Sequence, residues 1–503
     1  MQPTALALAV FLLTFTIYAR TSFPSVTGGD AGELLAESCQ LGRAHPPGYP
    51  LFTLIIHLVT LVANAVAPGV AGAPAQAANL LSCFCGSVAA TFTALTVCEW
   101  NKSMPFPEAA AGGALAGATL FAFSPLIWEY STGSEVFSFN NAFVAVLIFL
   151  TAKVGAAQRR PRSSSDVVPG LGWACAGAMV SGFALANQHS SLLSILPLAT
   201  TVLVWIEEPL AKHTVKVLGL LVLSGLVGLS PYAHLVLAAQ RGPTPGSWGD
   251  QTTLAGFLKH VLRSEYGTFT MLSFGSADSK GGEDGSGTES AVERTVIYLE
   301  DCVKQTHGIA FVLALASMWA VVAAAFFSPS RQTVRDQLAS TKAPKKAAMP
   351  KGMEQSGGKK SVAGGVTLHR DFFLVIIFSL VFYVAVWHGV FSNLPLKSSP
   401  MAAAVHSRFW MQPSLFVCCL AGDGLAAILR FIFSHFLTLI SKSSDEEKLG
   451  SSKVARRSPS LLCLKTRNVI AFGCALTITC TQVGWGWAGA NQRQDDHGWT
   501  MHR

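Results

Sequence analysis

Long apolar stretches recur along almost the whole chain, and they constrain its fold more than any other feature. Eleven of them are long enough, or nearly so, to cross a bilayer as helices. They lie at about 3–19, 77–97, 108–127, 138–156, 171–187, 191–206, 217–236, 306–327, 371–388, 412–432 and 468–487. A further run at 49–67 opens with several prolines, so we expect a bent helix that skims the membrane. The pattern predicts an all-α polytopic membrane protein with about eleven transmembrane helices.

Composition excludes the other broad classes. Half of the 503 residues are hydrophobic and 13% are charged, whereas soluble domains carry about 25% charge. The net charge of +8 does not indicate nucleic-acid binding, because the basic residues cluster in loops between apolar runs. The eleven cysteines include no CxxC pair, so we expect no metal site and no cofactor. Pairing of Cys39 with Cys302 remains open from spacing alone.

The basic loops predict the orientation of the chain. The arginines at 159–162 and the segments 328–370 and 441–467 are expected in the cytosol by the positive-inside rule. The N-terminus is then cytosolic, with the run at 3–19 as an uncleaved anchor. The loops 20–67 and 237–305 and the short tail 488–503 are lumenal. We expect one membrane-embedded module over 1–503, with a flexible insert at 275–290 and a disordered basic loop at 328–370.

A cluster of carboxylates follows the first apolar run. In "TGGDAGELLAESCQLGRAHPPGYP" the residues Asp30, Glu33 and Glu37 share one helical face. One interpretation is structural: Asp30 caps a short helix and Glu33 closes a capping box. The other is functional, because charge beside a bilayer is costly and a fixed carboxylate is a well-oriented base. The local sequence permits both.

The same stretch resembles a known family. "GGDAGELLAESCQLGRAHPPGYPLF" is similar to the signature of the transmembrane protein 260 family, protein O-mannosyltransferases with a GT-C fold. The likeness continues in "EVFSFNN" (135–141), "ANQHS" (186–190), "SPYAHL" (230–235), "WGDQTTLAGFLKHVLRSEYGTF" (248–269) and "SRFWMQPS" (407–414). All these blocks fall on the side predicted to be lumenal.

The resemblance implies a GT-C-type glycosyltransferase module in the endoplasmic reticulum membrane. It implies dolichyl-phosphate-mannose as the donor and Ser or Thr of folded immunoglobulin-like receptor domains as the acceptor. Members of the family continue beyond the last span into a lumenal C-terminal region, which we expect to be missing here. The competing classes are a multi-span transporter of a lipid-linked or small polar substrate, whose charges would be spread along several helices, and a non-catalytic membrane assembly subunit.

Mannose transfer from a lipid phosphate requires a base and a group that binds the leaving phosphate. Asp30 is the predicted base, with Glu33 orienting or tuning it, and a single base opposite the phosphate implies inversion. Arg408 is the predicted phosphate ligand, because a guanidinium grips phosphate with two hydrogen bonds. The alternative for Arg408 is an interfacial side chain beside aromatic residues.

Further polar residues complete the predicted site. The expected additional donor-binding residues are His45, Asn187, Gln188, His189, Trp248, Asp250 and Gln251. Weaker candidates are Glu135, Tyr232, His234, Arg263, Glu265 and Tyr266. The segment after Gln251 is predicted to form an amphipathic helix on the lumenal membrane surface. It is either a lid packed by its apolar stripe, with solvated charges, or part of a site in which Trp248, Asp250 and Gln251 hold sugar hydroxyls. A histidine at a helix end is also commonly structural.

Overall fold

The computed structural model describes residues 2–70, 72–159, 168–206, 211, 213–242, 244–264, 289–327, 357–392, 394–447 and 459–497. Within these ranges the chain forms α-helices and short turns, and no β-strand occurs. The helices are α1 (Pro3–Thr21), α2 (Ala31–Gln40), α3 (Pro50–Val66), α4 (Ala73–Trp100), α5 (Pro107–Ala122), α6 (Pro125–Thr132), α7 (Val136–Gln158), α8 (Leu171–Asn187), α9 (Leu192–Trp205), α10 (Thr214–Leu229), α11 (Ala233–Gln240), α12 (Leu254–Val261), α13 (Ala291–Gln305), α14 (Ile309–Phe327), α15 (Gly357–Val386), α16 (Pro400–Ser407), α17 (Met411–Glu447) and α18 (Pro459–His497). The all-α prediction is confirmed.

Most apolar runs coincide with one helix, but prolines divide two of them. The run at 108–127 breaks between α5 and α6, which are bent by 68° at Pro125. The run at 217–236 is interrupted by a 3-10 turn at Ser230–Tyr232, between α10 and α11. Proline has no N–H to donate to the preceding turn and its ring crowds the carbonyl there. Two of the predicted spans therefore depart from a continuous α-helix beside a proline.

The number of spans is bounded by helix length and composition. In the described part of the chain, seven helices are long and apolar enough to cross a membrane, and the count rises to nine if each bent pair is one span. Shorter apolar helices occur at Pro50–Val66, Leu171–Asn187 and His189–Trp205. Counting the last two as spans and leaving α3 on the membrane surface gives the expected eleven, which stays a prediction. The polytopic membrane class is confirmed.

Several helices extend into segments that were predicted as loops. Helix α15 begins at Gly357, inside the predicted disordered loop 328–370. Helices α17 and α18 reach Glu447 and Pro459, so they enter the predicted loop 441–467 from both ends, and α18 continues to His497. Helices can outlast their apolar runs because polar residues with good helical propensity continue the backbone ladder into water. The remaining positions 328–356 and most of the flexible insert, 275–288, lie outside the described residues.

Helix α17 occupies the centre of the bundle. It packs against α5 and α14, while α18 covers another side of α5. The approach of α5 to α17 is close enough to require glycine: a Cβ on Gly113 would lie 2.1 Å from the carbonyl oxygen of Gly422. Small residues at such crossings bring helix backbones together and maximise dispersion contacts in a membrane. The start of α17 lies beside α7, where Asn141 Nδ2 is 3.6 Å from Met411 Sδ.

A buried ionic network joins four helices further along α17. Asp423 is fully buried; its Oδ1 accepts from His369 Nε2 at 2.8 Å and its Oδ2 accepts from Ser317 at 2.6 Å. Arg430 lies 3.8 Å from Asp423 and donates to the side-chain oxygen of Asn101. Asp423 is fifteen residues from Arg408, roughly 22 Å along a helix. This network is therefore separate from the predicted site.

Cys39 and Cys302 do not form the disulfide left open by the sequence. Both are free thiols; Cys39 is exposed, while Cys302 packs against the main hydrophobic core.

Candidate active site

Three charged side chains from distant parts of the sequence meet at one end of the bundle. Asp30 precedes α2, Glu135 precedes α7, and Arg408 lies just before α17. Arg408 Nη1 is 3.1 Å from Asp30 Oδ2 and 3.7 Å from Glu135 Oε2. We refer to Asp30, Glu135 and Arg408 as the charged cluster. It brings together the predicted base, the predicted phosphate ligand and a residue that the sequence ranked as a weaker candidate.

Arg408 is held inside the protein rather than in an exposed aromatic belt. Its side chain is 14% exposed, and its guanidinium carbon lies 5.7 Å from the Tyr130 ring and 5.9 Å from the Phe137 ring. In the described residues, Nε of Arg408 and Oε2 of Glu135 have no hydrogen-bond partner. Because buried polar groups are nearly always paired, these atoms leave the cluster able to bind another polar group.

Asp30 occupies the cap position of α2 without acting as a cap. No backbone N–H of the helix donates to its side chain, which is 47% exposed and turned toward Arg408. The carboxylate of Glu33 is bound to His45 instead of reaching back to the cap. The capping-box interpretation of Asp30 and Glu33 is therefore wrong. Asp30 remains accessible as a hydrogen-bond acceptor.

Gly29 allows the close approach of Asp30 to the other members of the cluster. Its φ is +72°, in the left-handed region where glycine is unstrained. A Cβ at this position would lie 2.6 Å from Glu135 Oε1 and 3.3 Å from Arg408 Nη2. The "GGD" sequence thus has a steric function at the cluster as well as a turn function.

Burial determines the protonation of Glu135. Its side chain is 7% exposed, and this burial raises the pKa of Glu135 to about 7, although the positive charge of Arg408 opposes the shift. Glu135 can therefore exchange its proton near neutral pH. A protonated Glu135 leaves Arg408 paired with one carboxylate, so the cluster can accept a further negative charge.

Glu33 and His45 form a second pair beside the cluster. The backbone N–H of His45 donates to Glu33 Oε1 at 2.7 Å, and His45 Nδ1 lies 3.0 Å from Oε2. Partial burial works to raise the pKa of Glu33, but the hydrogen bonds and charge of His45 outweigh it and lower the pKa overall. The Tyr49 hydroxyl is 3.2 Å from His45 Nε2, and the Trp248 ring packs edge-on against the imidazole. Glu33 is thus held ionised one helical turn from Asp30.

Glu37 has a structural role that separates it from the other two carboxylates. It is buried and its Oε2 accepts from the backbone N–H of Arg43 at 2.7 Å and from Ser247 at 2.6 Å. Arg43 in turn donates to Gln251 Oε1 at 2.9 Å, and the Arg43 carbonyl accepts from the Trp248 N–H at 2.9 Å. These bonds fasten the loop around Trp248 to the first motif.

Of the three loop residues predicted to hold sugar hydroxyls, only Trp248 lies beside the site with its side chain still partly exposed. Trp248 lies beside His45, whereas the Gln251 amide is already bonded to Arg43 and to the Trp248 carbonyl. Asp250 is exposed and accepts from Thr252 within its own turn, so it does not face the cluster. The expected amphipathic helix is present as α12, and its leucines are exposed rather than packed as in a lid. Arg263 ends this segment with a φ of +54°.

The remaining predicted residues take three positions. His189 Nε2 is 2.6 Å from the Tyr232 hydroxyl, which donates to the Leu185 carbonyl, so this pair supports the end of α8. His234 Nε2 lies 3.0 Å from the Gly42 carbonyl and supports the first motif. Asn187 Nδ2 donates to the Val136 carbonyl, adjacent to Glu135, and Gln188 is buried next to it. Glu265 and Tyr266 lie outside the described residues.

The sequence predicted Glu135 only as a weaker candidate for the site. It did not predict a role there for Tyr130, Arg43, Asn140 or Gln412. The signal for Glu135 was a carboxylate directly before an apolar run, where an unpaired charge is costly. Among the described residues no group of three or more His, Cys, Asp or Glu side chains could hold a metal ion.

Comparison with known proteins gives a consistent family assignment. Residues 30–211 match the family model described as the Protein O-mannosyl-transferase TMEM260 N-terminal domain. Protein O-mannosyl-transferase tmem260 of Dictyostelium discoideum is 31% identical over 425 residues, which are 84% of this chain and 44% of that protein. Protein O-mannosyl-transferase TMEM260 of Mus musculus is 32% identical over 427 residues, 84% of this chain and 50% of that protein. The chain spans about half the length of these relatives.

Two solved structures align along nearly the whole chain. ArnT from Cupriavidus metallidurans, bound to undecaprenyl phosphate, has a TM-score of 0.48 and 13% identity over 98% of this chain and 79% of its own. The archaeal oligosaccharyltransferase AglB from Archaeoglobus fulgidus, in complex with an inhibitory peptide and a dolichol-phosphate, has a TM-score of 0.43 and 10% identity, covering 96% and 56%. TM-scores below 0.5 do not by themselves establish a shared fold. The sequence matches confirm the resemblance to the transmembrane protein 260 family: residues 30–211 match the model of that family's N-terminal domain, and both relatives align over 84% of this chain.

Proposed function

We propose that the chain is a GT-C-type membrane module that transfers mannose from dolichyl-phosphate-mannose to Ser or Thr hydroxyls of proteins. The observation that carries the proposal is the charged cluster, in which a half-exposed carboxylate and a buried guanidinium meet at one end of the helix bundle. The names of the relatives support mannosyl transfer as the reaction. The family resemblance supports folded immunoglobulin-like receptor domains as acceptors and the endoplasmic reticulum membrane as the location, with a cytosolic N-terminus and a lumenal C-terminus.

The proposed chemistry assigns one task to each charged group. The acceptor hydroxyl gives its proton to Asp30 while its oxygen forms a bond to the anomeric carbon of mannose. The bond between that carbon and the phosphate oxygen breaks, and the electron pair leaves with the phosphate. Attack on the side opposite the phosphate inverts the anomeric configuration.

Arg408 is the proposed ligand of the leaving phosphate. A guanidinium binds phosphate oxygens through paired N–H groups, and the unpartnered Nε of Arg408 is available for such a bond. Because Arg408 also contacts Asp30, donor binding would draw the guanidinium toward the phosphate and release the carboxylate as a base. Protonation of Glu135 near neutral pH removes one competitor for the same guanidinium.

Glu33, His45 and Trp248 are proposed to shape the pocket around Asp30. The ionised Glu33 holds His45 in place, and the exposed edge of Trp248 offers an apolar face for a sugar ring.

A transporter of a lipid-linked or small polar substrate is the second candidate function. The buried network of Asp423, His369 and Arg430 supports it, because ionisable groups inside a membrane often mark a translocation path. A flux assay with protein in liposomes separates the two functions. Transport that survives Asp30→Asn but not Asp423→Asn would support the transporter.

The direct test is a transfer assay with purified protein, polyprenyl-phosphate-mannose and a folded acceptor domain. We expect mannose on acceptor Ser or Thr residues, detected by mass spectrometry, and its loss in Asp30→Asn. A chain that binds neither the lipid donor nor the acceptor would refute the proposal and leave a non-catalytic assembly subunit.

A further inference from the structure

Several buried amide side chains lie close to the charged cluster. In α7 and α17 they follow Glu135 and Arg408 in the sequence by about one helical turn. Asn140 is five residues after Glu135, in α7, and Gln412 is four residues after Arg408, in α17. One turn of α-helix is 3.6 residues or roughly 5.4 Å. Asn187 approaches the same region, because its Nδ2 donates to the carbonyl of Val136 at 3.0 Å. We refer to Asn140, Asn187, Gln188 and Gln412 as the amide group; Gln188 follows Asn187 directly.

Ser190 connects the two helices of the amide group to the turn after α8. Its Oγ lies 3.3 Å from Asn140 Nδ2 and 2.8 Å from Gln412 Nε2. Ser194 donates to Gln412 Oε1 at 3.2 Å. The amide nitrogens of Asn140, Asn187 and Gln412 are therefore engaged by protein groups, and the Ser190 hydroxyl links α7 to α17.

Three amide oxygens of this group have no hydrogen-bond partner in the described part of the chain. They are Asn140 Oδ1, Asn187 Oδ1 and Gln188 Oε1. The three residues are 1%, 0% and 5% exposed, so bulk water does not satisfy these oxygens. A buried acceptor left unpaired is destabilising, and three of them within one region indicate a ligand that supplies hydrogen-bond donors.

We propose that these three oxygens accept hydrogen bonds from hydroxyl groups of the sugar carried by the lipid-linked donor. A sugar ring offers several hydroxyls on one rigid frame, whereas an acceptor Ser or Thr side chain offers one. The position fits, because the sugar is covalently attached to the phosphate that Arg408 is proposed to bind. The inference rests on the proposed function and deepens it by assigning a recognition site for the uncharged part of the donor.

The experiment compares two lipids that differ only in the sugar. The dissociation constants of polyprenyl phosphate and polyprenyl-phosphate-mannose, of equal chain length, are measured on detergent-purified full chain without acceptor. Their ratio reports the contribution of the sugar. Gln188→Met and Asn140→Leu replace the amide with an apolar group of similar shape. We expect each to lower the ratio by about 3-fold to 10-fold, typical of one lost hydrogen bond, with polyprenyl phosphate binding unchanged.

Gln482→Met is the matched control. Gln482 is also fully buried and its Oε1 also lacks a partner in the described residues, but its Nε2 donates to the Phe123 and Gln305 carbonyls, away from the amide group. The control should leave the ratio at the parental value. If Asn140→Leu does not fold, Asn140→Ser removes the same oxygen with less disturbance.

The outcomes distinguish this inference from the proposed function. Failure of the parent chain to bind either lipid refutes the proposed function. Binding of both lipids with a ratio that the amide variants leave unchanged overturns the sugar site alone. The sugar site is also overturned if Gln188→Met raises the thermal stability and leaves the ratio of dissociation constants unchanged. The unpaired oxygen would then destabilise the fold without binding the sugar. A reduced ratio in the amide variants but not in the control supports the site.

Discussion

Replacing Asp30 with asparagine tests whether Asp30 acts as a general base or only as an electrostatic partner of Arg408. Asparagine has nearly the same shape and keeps one oxygen beside Arg408, but it cannot accept a proton from an attacking hydroxyl. Since no backbone N–H donates to the Asp30 side chain, the substitution removes no capping bond. The contact with Arg408 is at 3.1 Å, but the Asp30 side chain is half-exposed. Because asparagine keeps an oxygen beside the buried guanidinium and Glu135 Oε2 lies 3.7 Å from the same group, we expect little change in stability.

The expected effect on catalysis is much larger. General base catalysis contributes about 100-fold to 10,000-fold in rate. At 1.36 kcal/mol for each factor of ten, this is roughly 2.7–5.4 kcal/mol of activation free energy. Asp30→Asn should therefore unfold within a few degrees of the parent in detergent, bind donor and transfer mannose at least about 100-fold more slowly. Glu33→Gln should reduce the transfer rate less than Asp30→Asn, because Glu33 acts on its neighbours and does not touch the reacting atoms.

Asp371→Asn is a matched control for the removal of an arginine-paired carboxylate. Asp371 is paired with Arg159, on the side of the chain predicted to be cytosolic. This variant should retain transfer at near the parental rate once its folded fraction is accounted for. A well-folded Asp30→Asn protein that binds donor and keeps the parental rate would refute Asp30 as the base.

Four further outcomes follow from the same geometry. Arg408→Lys keeps the charge but loses the planar fork, so kcat/KM for the donor should fall by roughly tenfold or more while expression persists; unchanged donor kinetics would leave Arg408 with a structural role. Because the pKa of Glu135 is raised from 4.5 to about 7, its contribution to stability is fully present below pH 4.5 and is lost as the pH rises to about 7. The unfolding midpoint should therefore decline over this range less steeply in Glu135→Gln than in the parent, and equal declines would contradict the raised pKa. Asn101 in "NKS" should carry no glycan by mass spectrometry, because its side chain is buried and bonded to Val97 and Arg430; a glycan there would also overturn the predicted orientation. Gly29→Ala should reduce transfer strongly, because the added Cβ would contact Glu135. Gly28→Ala, with no atom within 4 Å of the added Cβ, should have little effect. Equal activity of the two variants would show that the close approach at Gly29 is not required.

Local sequence was sufficient for most of the apolar helices but not for their ends, nor for α13, which lies wholly within the predicted loop 237–305. The apolar runs predicted α7 and α8 closely, because a stretch of this length can satisfy its backbone in a bilayer only as a helix. The same runs did not predict that α15, α17 and α18 continue into segments with polar composition. Continuation of a helix beyond the apolar region depends on propensity and packing, which hydropathy does not measure.

The residue types of the site were present in the sequence, but the pairings were not. Asp30, Glu33 and Arg408 could be selected because charge at the membrane edge is costly, and because the first and last lie in blocks that resemble one family. The cap interpretation of Asp30 and Glu33 was equally consistent with local spacing. It was excluded only when the fold placed Arg408 and His45 within reach of these carboxylates.

The sequence by itself thus determined the helical membrane architecture, the resemblance to one family and the first motif, since hydropathy and motif similarity are local properties. The tertiary structure alone decided that Glu135 joins Asp30 and Arg408, that Glu37 fastens the Trp248 loop, and that three buried amide oxygens lack partners. Those features depend on contacts between residues that lie 50 to 378 positions apart in the sequence. Which side chains meet there is set by how α2, α7, α8 and α17 pack, and no spacing within a single segment encodes it.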